Sequence, residues 1–149
     1  MQVALVAFAG GMTAGILTGW SMLQNGLLLG ALAGAAAKSG QALAFWSLIV
    51  PHGSLELPAI VLAGGSGLML ARAILFPGDL PRAASLRRAA GEAVRIVLGA
   101  LPLFLLAGLV EGFFTPSATD PVLKLGVGTA LAAAFVAYVL LTGRGEPEA

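Results

Sequence analysis

Apolar residues run along this chain in blocks too long and too uniform for one face of a soluble helix, and polar residues are confined to short breaks between them. The blocks predict membrane spans at residues 3–20, 26–37, 54–75, 96–114 and 122–142. A hydrocarbon core needs about 20 apolar residues per helix, and none of the blocks carries the polar stripe of a helix lying on the bilayer. Residues 42–50 make a shorter apolar piece that Pro51 ends, which predicts a half-helix. Non-helical backbone at that point would have to be buried in protein or face water, because lipid offers no hydrogen-bond partners. The expected fold is therefore all-α: a polytopic transmembrane helical bundle of about five helices in one domain, residues 1–149, with a broken or re-entrant segment at Pro51–Gly53.

The residues between and within the blocks add detail. Gly11, Gly15 and Gly19 recur every four residues in the first span, and Gly26, Gly30 and Gly34 repeat that spacing in the second. Small residues on one helix face let backbones approach closely in lipid. Across a polar turn at Gln24–Asn25, the two spans are expected to form a tight antiparallel hairpin, and the same faces suit a homo-oligomer, for instance a dimer. Gly64 and Gly65 offer a further close-approach surface. Ser54 is placed to cap the span it begins, with Glu56 in the first turn, where the helix dipole favours an anion. Pro58 is tolerated there because first-turn amides lack intrahelical partners.

Asp79 followed by Pro81 reads as a helix start, so residues 79–95 are expected to form an amphipathic surface helix carrying Arg82, Arg87, Arg88 and Arg95. The arginine excess assigns that loop to the cytoplasm, and Arg72 snorkels to the same interface. The segment from Thr115 to Pro121 is expected outside, and residues 143–149 as a disordered cytoplasmic tail. The stretch Met1–Trp20 lacks a basic leader region and reads as a mature helix rather than a secretory signal. Ala14–Trp20 echoes Ala107–Phe113 position by position, either as an inverted repeat framing a midplane site or as chance between two Ala/Gly/Leu-rich segments.

Composition agrees with the pattern: 58% of residues are hydrophobic and only 10% charged, which marks an integral membrane protein. The absence of cysteine excludes disulfides, thiolate metal sites and cysteine nucleophiles. A net charge of +1 without a basic run argues against nucleic acid as a partner.

Candidate chemistry rests on His52, Glu56 and Glu111, since ionisable groups in hydrocarbon are costly and mark functional sites. His52 and Glu56 are four residues apart, so one helical turn puts them on the same face, and Glu111 is expected at a similar depth. The trio can relay protons, bind a cation, or satisfy hydrogen bonds that pin a broken backbone, and all three readings stay open. No catalytic residue, metal or cofactor is expected: Ser54 beside His52 lacks a third triad member, and there is no HExxH-type second histidine.

The run Phe45–Ile60, with Pro51-His52-Gly53-Ser54-Leu55-Glu56-Leu57-Pro58 at its centre and Ala63-Gly64-Gly65 after it, resembles the signature of the stage II sporulation protein M family. Asn25-Gly26 with Gly30, Phe76-Pro77-Gly78, and Ala107–Phe113 with Thr115-Pro116 extend the resemblance over nearly the whole chain. It implies an integral membrane protein whose founding relative, in endospore formers, is the membrane scaffold of a complex with peptidoglycan-degrading proteins. Family members usually carry a membrane helix and a connecting domain ahead of this region, so the resemblance implies a short or N-terminally truncated form. The expected function is a non-enzymatic, multi-pass scaffold or accessory subunit in the cell (cytoplasmic) membrane, assembling membrane or cell-envelope proteins in the lipid bilayer. The alternative is a transporter or permease-like subunit with a polar pathway at His52, Glu56 and Glu111.

Overall fold

A computed structural model describes residues 2–142; Met1 and the expected tail at residues 143–149 lie outside them. Its helices are α1 (Gln2–Ala9), continued by a 3-10 turn (Gly10–Thr13); α2 (Ile16–Lys38); α3 (Ala42–Leu75); α4 (Arg82–Leu109), continued by a π turn (Val110–Phe114); and α5 (Pro121–Thr142). No strand occurs among the described residues. From α2 onward each helix is long and apolar enough to cross a membrane, whereas Gln2–Thr13 is too short. The chain is an all-helical membrane protein.

The first correction concerns the hairpin. Gln24 and Asn25 do not turn; α2 runs straight through them. The turn lies at Ala14 and Gly15, which adopt left-handed φ values of 54° and 83°. Thr13 builds it, donating its hydroxyl to the Gly10 carbonyl at 2.6 Å and accepting the Leu17 amide at 3.1 Å. Two polar residues are compatible with a helix interior, while reversal of direction needs left-handed backbone, which glycine supplies without a Cβ penalty. The echo between Ala14–Trp20 and Ala107–Phe113 therefore fails in structure, since the first segment holds this reversal and the second begins as regular helix in α4.

The second correction concerns the expected break. α3 passes through Pro51, Gly53 and Pro58 as one helix of 34 residues. Each proline removes one amide donor, leaving the carbonyls of Ser47 and Ser54 without their usual i+4 partner. Opening the helix would strand several backbone groups in hydrocarbon, at several kcal/mol each, so the smaller loss wins. Ser54 caps nothing; its hydroxyl donates back to the Pro51 carbonyl at 3.0 Å. The half-helix at 42–50 and the span at 54–75 are parts of this single rod.

The third correction concerns residues 79–95, which are not a separate surface helix. α4 starts at Arg82, after Pro81, and with its π turn continues unbroken to Phe114, 33 residues in all. At about 1.5 Å per residue this rod is roughly 50 Å long, well beyond a hydrocarbon core of about 30 Å.

α3 is the axis of the bundle and touches every other helix. Its Ala59, Ile60 and Ala63 meet Ala4 of α1 and Ala100 and Phe104 of α4 in the buried core. α1 runs parallel to α3 and α2 returns antiparallel, as the contacts of Ala7 with Gly67 and of Met22 with Gly64 require. A β-carbon on Gly11 would collide with the backbone of Gly67, and one on Gly128 would lie 2.7 Å from the Val50 carbonyl carbon. Glycine thus lets two helices seat on α3 backbone to backbone. By contrast Gly19, Gly26, Gly30, Gly34 and Gly65 face open space, so no glycine zipper joins α1 to α2.

Two helix ends follow local chemistry. α2 closes with Gly40 at φ 73°, the Gln41 amide bonding the Ala36 carbonyl at 2.8 Å and the Gly40 amide the Ala37 carbonyl at 3.2 Å. That is a Schellman closure. Asp120 caps α5 by accepting the Val122 amide at 2.8 Å, with Pro121 in the first helical position, where a missing N–H costs nothing.

Candidate functional site

Because α3 stays helical, His52 and Glu56 sit one turn apart on one face and line a cavity of about 200 Å³. α2, antiparallel to α3, brings Asn25 to the same cavity. Val3, Leu29, Ile49, Leu57 and Ile60 make most of the remaining wall, so three polar side chains converge in an apolar setting. All three are half-buried. Nδ1 of His52 is buried and has no hydrogen-bond partner among the described residues. An unsatisfied ring nitrogen of that kind costs about 1–3 kcal/mol, which makes the cavity one of the places where the bundle departs from full polar satisfaction.

The other signature residues serve the frame. Pro51 is completely buried and Gly53 is buried between Ile49 and Leu57. Ser54 is tied to its own helix, donating its hydroxyl to the Pro51 carbonyl.

Glu111 does not join the cavity. It lies exposed in the π turn of α4, where the Thr115 amide reaches the Val110 carbonyl at 2.8 Å. π turns recur at functional sites, but here the turn serves a second polar cluster. Lys124, from the first turn of α5, is only 6% exposed. Its ammonium donates to the carbonyls of Thr115 at 2.7 Å and Ser117 at 2.8 Å, closing the loop between α4 and α5. The buried Thr115 hydroxyl beside it has no partner among the described residues.

Sequence reasoning missed Asn25 and Lys124. Asn25, next to Gln24, reads in sequence as part of a turn. Lys124 carried a signal: it is the one charge in the block 122–142, and a lone charge there needs an internal partner.

Chemically, an imidazole, a carboxylate and a carboxamide can hold a cationic or hydrogen-bonding group, or brace three helices. Among the described residues no cluster of three or more His, Asp or Glu side chains could hold a metal ion.

The arginines gather at the opposite end of α3. Arg72 from its last turn, with Ser85, Arg88 and Glu92 of α4, lines a cavity of about 230 Å³. Arg82, Arg87 and Arg95 are exposed on the same stretch of α4.

In comparison with known proteins, a family model described as stage II sporulation protein M matches residues 1–116, from α1 to just past the π turn. No curated protein and no solved structure matches.

Proposed function

Since the chain belongs to the stage II sporulation protein M family, we propose that it is a non-enzymatic scaffold of the cytoplasmic membrane that holds partner membrane or envelope proteins together. The observation that carries this reading is the uneven burial of the spans. Half of the most apolar window of α3 is buried, against 6% for α2 and for α5. The bundle is held by one helix, and most residues of the two others stay exposed for contacts outside the chain. Gly26, Gly30 and Gly34, open along α2, suit the close approach of a further helix, from a partner or a second copy.

The arginine-rich end of α4 faces the cytoplasm in this reading, by the excess of arginine over the opposite end, where Lys38 lies. Ser85→Cys is then labelled by an impermeant maleimide only after the membrane is opened, while Ser39→Cys is labelled in intact cells.

Photo-crosslinkers at Leu28 of α2 and Val136 of α5 test the scaffold itself. Discrete protein adducts from these faces, absent when the probe replaces the core residue Ala63, are the expected result. Lipid adducts alone from both faces would sink the idea.

The cavity of Asn25, His52 and Glu56 favours a second reading, a transporter-like subunit with a polar step inside the bundle. Glu111 has no part in that cavity, so such a pathway would run without it. Proton-coupled flux in proteoliposomes, lost in His52→Ala protein that still folds, selects this reading over the scaffold.

A further inference from the structure

The geometry points to a binding site for the headgroup of an anionic phospholipid in the cavity between the end of α3 and the start of α4. The cavity holds about 230 Å³, with Arg72, Arg88 and Ser85 as donors and Met69 and Phe76 as apolar wall. Arg72 makes no ion pair or side-chain hydrogen bond among the described residues. Among the described residues Arg88 meets only Glu92 of its own helix, at 3.8 Å with both side chains exposed, which is a weak engagement. Two guanidinium groups against one carboxylate leave the cavity with an uncompensated positive charge.

Depth selects the ligand. The apolar block of α4 begins at residue 96, directly after Arg95, so Arg88 stands about two turns beyond the hydrocarbon edge. Arginine side chains at that level reach back to the phosphate layer. Their planar forks match the oxygens of a phosphodiester and bind them in pairs. Basic pockets between membrane helices are suited to acidic lipid headgroups for this reason. Met69 and Phe76, the latter 74% exposed, line the cavity beside Arg72 and Arg88. They give the glycerol and upper acyl chain an apolar surface that a free phosphate ion would not use. The occupant is thus an anionic lipid that enters sideways from the bilayer.

The test uses the purified full chain in nanodiscs of phosphatidylcholine, titrated with fluorescent phosphatidylglycerol. Binding should weaken about fivefold in Arg72→Gln and in Arg88→Gln, near the effect of one basic residue at a membrane surface. Arg82→Gln, which removes the same charge outside the cavity, should bind like the unmodified protein. Glu92→Gln should bind more tightly, a gain that misfolding does not produce. Equal weakening in Arg82→Gln would overturn the site in favour of general surface charge. Competition by inorganic phosphate would assign it to a soluble anion, and competition by an acidic peptide to a protein partner; either result overturns the lipid assignment.

Discussion

Thr18 of α2 donates its hydroxyl to the backbone carbonyl of Ala7 in α1 at 2.7 Å, and the pair is fully buried where both helices meet Gly67. The bond joins the two arms of the hairpin below the Ala14–Gly15 turn. Replacing Thr18 with valine keeps the shape and removes the donor, leaving a carbonyl without its partner. The expected loss is about 1 kcal/mol, the usual size for an interhelical hydrogen bond in a membrane protein. Reversible unfolding in mixed micelles measures it; an unchanged midpoint would show that the hydroxyl is dispensable.

Gly67 and Gly30 make a paired test of glycine packing. A methyl group at Gly67 would press on the Ala7 carbonyl and lie 2.9 Å from the Thr18 hydroxyl oxygen, whereas at Gly30 it meets nothing within 4 Å. Gly67→Ala should lower stability by about 1–3 kcal/mol, the range for overpacking. Gly30→Ala should change the isolated protein by less than about 0.5 kcal/mol. The same Gly30→Ala protein should lose crosslinks formed from α2 if that face receives another helix.

Lys124 holds the loop after the π turn with two charge-assisted hydrogen bonds. Lys124→Met preserves the length of the side chain and discards both donors. A loss of roughly 2–3 kcal/mol is expected, since hydrogen bonds to charged groups contribute about 1.5–3 kcal/mol each and part is recovered by not burying the charge. Hydrogen exchange at residues 115–120 should accelerate in the variant while the amides of α3 stay protected.

Ala14 carries a strain that can be relieved. It is the one described residue other than glycine with positive φ, at 54°, and left-handed backbone costs an L-residue about 1–2 kcal/mol. Ala14→Gly should raise the thermal midpoint, and Ala14→Val should lower it. A fall in the glycine variant would place the hairpin turn elsewhere.

Legibility in the sequence followed the physics of each signal. Hydrophobic length exposed the all-helical membrane class, because lipid permits few other solutions for such blocks. The spacing of His52 and Glu56 located one face of the cavity, but Asn25 came from another helix and no local pattern announces a partner across a bundle. Proline misled at Pro51, since the rule that it ends helices belongs to water, where freed backbone groups are solvated. The Gln24–Asn25 pair misled in the opposite sense: two polar side chains look like a turn, yet one of them points at polar company inside. Glycine spacing in α2 named a face without saying whether this chain or another covers it, and here the chain leaves it open.

The construction of α5 bears on how much of the molecule is open to change. Among the described residues α3 is the one helix it touches, and it lies beyond the region matched by the family model, which ends at residue 116. Its fit depends on Gly128 against Val50 and on Lys124 against the preceding loop. A helix that packs along one neighbour is a replaceable module: its lipid-facing positions can be rewritten for a new neighbour in the membrane while the other four helices keep their arrangement.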